Sequence, residues 1–420
     1  MRSNRLTMWI VVALLLGIAS GYVVNAQFGD SSARFAEIVE LLPTAFLRLI
    51  KMIIAPLVFA TLVVGIGKMS DLAMLGRVGA KSLGWFIFAS LISLTFGLVL
   101  VQVFAPGAVM RLPLPDESAV ANVEASALSL QGFIAHTIPT SIIDAMARNE
   151  ILQIVVFSVF FGTATAALGE RGKIVLDALD AVAHIMLKVT GYVMMAAPLA
   201  VFGALAGTIA KQGLGIVWVY GLFIGEFYLA LAILWIVLVL LGWFIVGPSI
   251  LRLVRRIREP VLLAFSTASS EAAYPKTLEE LERFGISNRV ASFVLPTGYS
   301  FNLDGSMMYC TFAIMFIAQV YGIELTITQQ ILMVAILMLT SKGIAGVPRA
   351  SLVVIAATLP QFGIPEAGLL LLIGVDQFFD MGRSATNVVG NSISTAVVAK
   401  WEGELGPDAG IGTKNLELKS

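Results

Sequence analysis

The chain reads as an all-α polytopic membrane protein, and three observations carry that expectation. Of its 420 residues, 58% are hydrophobic and 13% charged, against roughly 25% charged in an ordinary soluble domain. Apolar runs long enough to cross a bilayer recur near 7–26, 41–67, 81–105, 150–168, 175–210 and 215–247, with more irregular ones from 259 to 402. Basic residues separate these runs at alternate ends: Arg2 and Arg5; Lys68, Arg77 and Lys81; Arg171 and Lys173; then Arg252, Arg255, Arg256 and Arg258.

The first run, "TMWIVVALLLGIASGYVV", has the apolar length of a signal peptide but no small-residue cleavage site, and reads as the first transmembrane helix. Several later runs exceed the roughly 20 residues a span needs, which implies strongly tilted helices. Positive charge marks the cytoplasmic ends. This places both termini in the cytoplasm and makes 106–149, with Asp116, Glu117 and Glu124, an external loop.

Beyond residue 250 the pattern changes. "LLAFSTASSEAAYP" and "LMLTSKGIAGVPRASLVVIAATL" look like spans interrupted by Ser, Gly and Pro, and each precedes an apolar segment with a polar centre, "PTGYSFNLDGS" and "FFDMGRSATNVVGN". Pro275 to Asp304 is 29 residues and Pro348 to Asp380 is 32, so a hairpin followed by a helix recurs at similar spacing. That is the pattern of a transporter's structural repeats with the binding site between them. Irregular backbone at membrane depth survives only inside protein or beside a wet cavity. Both interrupted segments therefore read as re-entrant hairpins, with kinked spanning helices as the alternative.

The last helix carries a polar stripe. Asp380, Arg383, Asn387 and Asn391 stand 4, 7, 11 and 15 residues after Asp376, within an arc of about 80° on one helix face. A charge in hydrocarbon costs from about 3 to more than 10 kcal/mol, so the stripe marks function. The clusters "RLVRRIRE" and "KTLEELER" read as solvated ends that set topology. A single cysteine, Cys310, excludes an internal disulfide, and two dispersed histidines, His136 and His184, leave no structural zinc site. No cofactor and no resident metal is expected, and near-zero net charge without a basic arm argues against nucleic acid. A channel would need a continuous polar path, whereas the polar residues cluster at one depth. An aspartyl protease built on Asp304 and Asp380 would need one neutral acid, which Arg383 opposes.

"LIKMIIAPLVFATLVVGI", "TASSEAAYP", "PTGYSFNLDG", "GIAGVP" and "DMGRSATNVVGN" together resemble the dicarboxylate/amino acid:cation symporters, the glutamate-transporter homologues, over nearly the whole chain. The branch most similar is the bacterial proton/glutamate-aspartate symporters. The resemblance implies the glutamate-transporter fold: about eight transmembrane helices plus two re-entrant hairpins, with inverted repeats, in an inner-membrane homotrimer. Scaffold helices 1–2 would occupy 1–80 and scaffold helices 4–5 residues 129–212. A mobile transport domain would take 81–128 (helix 3 and the external loop) and 213–402, with hairpin 1 at about 250–284 and hairpin 2 at about 325–361. Residues 403–420 would form a cytoplasmic tail.

It also implies roles. Arg383 would hold the substrate's side-chain carboxylate, a planar guanidinium gripping it through two parallel bonds; the plainer reading is an Arg neutralised by Asp380. Asp380 would receive an α-amino group, because relatives carrying plain C4-dicarboxylates have Ser there. Asn387 would reach the α-carboxylate, with Ser270, Ser306, Ser351 and Ser384 as hydroxyl contacts; Ser384 alternatively bonds its own i−4 carbonyl. Backbone amides around Val347 would complete the site, Gly343 and Gly346 giving the second hairpin's tip the freedom of a gate.

Asn302 and Asp304 match residues that ligate Na⁺ in sodium-coupled relatives, and here serve either as a residual sodium site or as proton carriers. Asn391 replaces an Asp ligand, Ala89 stands where a Thr is usual, and Lys342 brings positive charge near a second sodium region. Ser90 and Glu271 complete the coupling candidates, Glu271 being alternatively a capping acid. Cys310 replaces a Glu of animal relatives, so potassium counter-transport is not expected. Arg349, where Gly is usual, has no explanation in the sequence. The expected function is proton-coupled uptake of L-glutamate and L-aspartate by an elevator mechanism, the alternative being sodium-coupled uptake of acidic amino acids or C4-dicarboxylates; the protein is not expected to be an enzyme.

Overall fold

The computed structural model describes residues 2–28, 31–67, 72–109, 134, 137–213, 215–340, 350–373 and 375–406. It is built almost wholly of helices, and no strand forms among the described residues beyond one isolated bridge. The helices are α1 (Arg2–Phe28), α2 (Ser31–Val39), α3 (Leu41–Gly67), α4 (Leu72–Phe104), α5 (Ile142–Arg148), α6 (Ile151–Ala167), α7 (Glu170–Val193), α8 (Ala197–Gln212) and α9 (Gly215–Val246). They continue as α10 (Ile250–Arg256), α11 (Arg258–Thr267), α12 (Tyr274–Arg283), α13 (Asn288–Phe301), α14 (Asp304–Val320), α15 (Ile327–Thr340), α16 (Ala350–Thr358) and α17 (Asp376–Glu402). Helical backbone is required because hydrocarbon offers no partner to a free N–H or C=O. The chain is a multi-pass membrane protein, six helical stretches among the described residues being long and apolar enough to cross.

Two sets of helices pack together. In one, α1 lies along α8, tied by Asn25 Nδ2 donating to the Ala210 carbonyl at 2.8 Å; Lys211 of α8 pairs with Glu40, between α2 and α3, at 2.6 Å, and α3 contacts α6, α7 and α8. In the other, α4 packs on α14, and α9, α11, α13 and α14 surround α17. The sets meet where α13 lies against α3 and α6, and where α11 touches α8.

Helices α11 and α12 have ten residues each, about 15 Å of rise against about 30 Å of hydrocarbon. Neither can span. The chain reverses between them through Ala268, which takes left-handed angles, and a 3₁₀ turn at Glu271–Ala273. Helices α15 and α16, with 14 and nine residues, are likewise short and pack on each other. The residues assigned to the second tip, Lys342, Gly343, Gly346, Val347 and Arg349, lie outside those described.

Two readings need correction. Asn302 and Asp304 do not sit within a continuous helix: α13 ends at Phe301, Asn302 and Leu303 are non-helical, and α14 starts at Asp304. The "KTLEELER" segment is not a solvated end. Lys276 and Glu280 are buried and paired at 3.1 Å, with Arg256 3.8 Å from Glu280, because α12 turns its charged face into the set around α17. Arg252, Arg255 and Arg258 are exposed, as expected.

At this basic end the second set is clasped shut. Lys81 and Arg77 of α4 reach the buried Glu402 at 2.6 and 3.6 Å, and the Ser287 and Gly406 amides donate to the Glu404 and Gly285 carbonyls. Further along α17, the start of α14 lies so close that a Cβ on Gly390 would collide with Asp304 Oδ2, and one on Gly305 with the Arg383 backbone. Gly390→Ala should therefore overpack this contact at a cost of about 1–3 kcal/mol, read as a lowered melting temperature of the detergent-solubilised protein.

Candidate substrate and coupling site

Arg383 is 2% exposed on the buried face of α17. Its Nε donates to Asp380 Oδ1 at 2.9 Å, Nη1 lies 3.3 Å from Asp376 Oδ1, and its guanidinium sits 4.6 Å above the Tyr309 ring. Tyr309 donates its hydroxyl to Asp376 Oδ1 at 3.1 Å. The ring is held by an aromatic cluster of Phe227, Phe312 and Phe379, extended by Phe223 and Phe316. Tyr228 donates to the Phe378 carbonyl at 2.7 Å and Trp235 to Thr386 at 2.8 Å, so α9 fixes the rotation of α17.

This pairing leaves Arg383 incompletely used. Nη1 is buried and lacks the alignment of a hydrogen bond to any partner. A buried, unsatisfied cationic donor is costly, and a planar guanidinium meets a carboxylate through two such donors. Asp380 is partly exposed, and Ser384 donates to its Oδ1 at 3.4 Å rather than to an i−4 carbonyl. The two carboxylates and one guanidinium make the local charge −1, a poor host for a dianion unless cations bind with it.

Asn387 serves the fold as well as the site. Its Oδ1 accepts from the Gly305 and Ser306 amides at 2.9 and 3.3 Å, capping free N–H groups at the start of α14. Its Nδ2 donates to Ser306 Oγ at 3.1 Å. Ser351, buried in the first turn of α16, lies beside Cys310 of α14. Ser270 is buried at the reversal of the first hairpin and makes no hydrogen bond to Arg383, Asp380 or Asn387.

The coupling candidates gather one turn further along α17. Asn302 Nδ2 donates to Asp304 Oδ2 at 2.9 Å and approaches Asn391 Oδ1 at 3.3 Å; all three residues are fully buried. Ser93 Oγ donates to Asp304 Oδ1 at 3.0 Å, and Ser90 Oγ to the Phe301 carbonyl at 3.4 Å. Thus α4 supplies Ser93, which the sequence reading missed, and Ala89 contributes only its carbonyl, which accepts from Ser93 Oγ at 2.9 Å. Asn302 Oδ1 is buried without a partner, an oxygen of the kind a hard cation or a proton donor takes. Asp304 is the one formal charge in this group, and no cluster of three or more metal-binding side chains occurs among the described residues. Glu271 lies half-buried on the 3₁₀ turn. Asp376, Tyr309 and Ser93 were missed as partners because periodicity reports a helix face but not what lies across it.

With this geometry in place, comparison with known proteins is informative. Residues 6–401 match the sodium:dicarboxylate symporter family. The chain belongs to that family. It is 40% identical over 402 residues to "C4-dicarboxylate transport protein 2" of Polaromonas naphthalenivorans, covering 94% of this chain and 90% of that protein. It is 41% identical over 405 residues to the "C4-dicarboxylate transport protein" of Laribacter hongkongensis and 42% over 406 residues to that of Brucella anthropi, each covering 95% of this chain and 90% of the relative. This symporter is therefore a transporter and not an enzyme. The relatives' names favour dicarboxylate transport over the expected proton-coupled import of glutamate and aspartate.

Tyr309→Phe in the symporter keeps the ring under Arg383 and removes its bond to Asp376. Substrate affinity should fall about ten- to a hundredfold, the worth of one hydrogen bond to a charged group, measured by calorimetric titration of the purified protein.

Proposed function

We propose that the chain is a secondary active symporter importing C4-dicarboxylates together with cations, with one substrate carboxylate held by Arg383. The observation that carries this reading is the buried guanidinium whose Nη1 has no hydrogen bond. The relatives' names supply the four-carbon class. A second reading, an acidic amino acid such as aspartate or glutamate, is favoured by Asp380: an α-amino group fits beside its partly exposed carboxylate, and a plain dianion gains nothing from it.

The anion must move with positive charge, since each elementary charge crossing 100 mV is worth about 2.3 kcal/mol, and the site itself carries −1. We take the coupled cation to be a proton, because Asp304 is the single acid among Asn302, Asn391 and Ser93. Sodium, the ion in the family's description, would use Asn302 Oδ1 and Asp304 as ligands. In this reading α1–α3 and α5–α8 form the scaffold, α4 and α9–α17 slide as a transport domain, the basic end is cytoplasmic, and the protein is an inner-membrane homotrimer.

Uptake of labelled succinate, aspartate and glutamate into proteoliposomes, with an imposed pH gradient and with or without sodium, tests the proposal. Succinate uptake that follows the pH gradient in sodium-free buffer is the expected result; dependence on millimolar sodium with indifference to pH assigns the cation to sodium. Arg383→Thr should lower uptake of every dicarboxylate at least about a hundredfold, the loss of one buried charge-assisted pair. Asp380→Ser separates the two readings: it should spare succinate, and a loss confined to aspartate and glutamate establishes the amino acid as substrate.

A further inference from the structure

One ionisable residue in a spanning helix plays no part in the site. Glu226 lies on α9, within the apolar stretch Tyr220–Val246. Its Oε2 is buried without a hydrogen bond, and it has no ion-pair partner among the described residues. Its neighbours along the helix lie on an open face: Leu222, one turn before, and Leu229, one turn after, are 47% and 52% exposed. A side chain added at Gly221 or Gly225 would meet nothing.

No cation from the packed elements answers this acid. From α17, Arg383 is committed to Asp376 and Asp380, while Lys400 and Glu402 belong to the basic end. From α4, Arg77 and Lys81 engage Glu402. Arg252, Arg255 and Arg256 on α10 lie beyond Val246, α14 presents only Asp304, and the short helix Pro106–Val109 has no charge.

The position along α9 matters more than the lack of a partner. Val246 precedes the basic cluster and marks one hydrocarbon boundary. Glu226 is 20 residues from it, about 30 Å along the axis, which is the thickness of the hydrocarbon. Here Glu226 is level with the far interface, where its half-buried side chain, one carboxylate oxygen covered, borders water. Displacement of the transport domain toward the basic end would draw that carboxylate into lipid.

We propose that Glu226 is a proton-operated gate on the sliding of the transport domain. This rests on the sliding cycle proposed above. The carboxylate takes one proton from water at the end opposite the basic cluster, enters hydrocarbon as the neutral acid, and returns the proton to the same side on rising. It sets the rate and population of the displaced state as a function of external pH, and adds nothing to the proton stoichiometry of transport.

The test uses cysteines introduced by Leu168→Cys on the scaffold and Leu251→Cys on the transport domain, both exposed positions near the basic end. The full chain is spin-labelled, reconstituted in nanodiscs, and the inter-label distance distribution is recorded with and without substrate. Lowering the pH from about 8 to about 5.5 should raise the displaced population about tenfold. Glu226→Gln should remove more than half of that response and hold the displaced population near its acid value throughout. A Glu226→Gln protein that keeps more than half of the pH response overturns the gate, as does a distribution that responds to substrate but not to pH. A distribution that responds to neither overturns the sliding cycle itself.

Discussion

The break between α13 and α14 is the constraint on which the remaining geometry depends. A helix that starts inside protein exposes N–H groups with no partner, and here the side-chain oxygen of Asn387 takes two of them. The same break releases Asn302 to bond Asp304 and approach Asn391. One cap therefore joins the residues around Arg383 to the residues around Asp304. Gly305 and Gly390 allow this because no Cβ stands between the two helices.

That junction gives a physical account of coupling. In the function proposed above, a ligand that draws on Arg383 or Asn387 would act on α17, which carries Asn391 one turn away. A cation or proton taken up at Asp304 would act on the start of α14, where Ser306 meets Asn387. If both occur as proposed, the two events share a rigid element, and linkage makes the effect of each on the other equal. The clasp at the basic end, where Lys81 and Arg77 hold Glu402, keeps α4 and α17 from separating while this happens.

Much of this was legible in the sequence, and what was not has a common cause. The stripe Asp376 to Asn391 is visible because helical period puts its members on one face, and the two hairpins because Ser, Gly and Pro interrupt runs otherwise long enough to span. The pairing of Asn387 with Gly305 and Ser306 is not visible, because it joins positions more than 80 residues apart. That Ser93 meets Asp304 is not visible either, because the rotation of α4 is set by its packing on α14, which no period within α4 reports. Lys276 and Glu280 looked solvated for the same reason: a charged face is polar whether it meets water or opposite charge. Substrate class was the least legible, since Asp380 points to an amine while the overall likeness is to carriers of C4-dicarboxylates.

The lengths of α4 and α9, 33 and 32 residues, carry a consequence for the bilayer itself. Each runs about 48–50 Å, some 18–20 Å more than the hydrocarbon it crosses. A fixed span of this length would be poorly matched to its membrane, tilting or thickening it. On the sliding body proposed above the same surplus would be a rail: lipid would meet apolar helix at both limits of travel, and the excess would set the longest stroke available before a helix end enters oil. Thicker membranes would then shorten that stroke and thinner ones lengthen it, making lipid chain length a control on turnover that touches neither the substrate nor the cation.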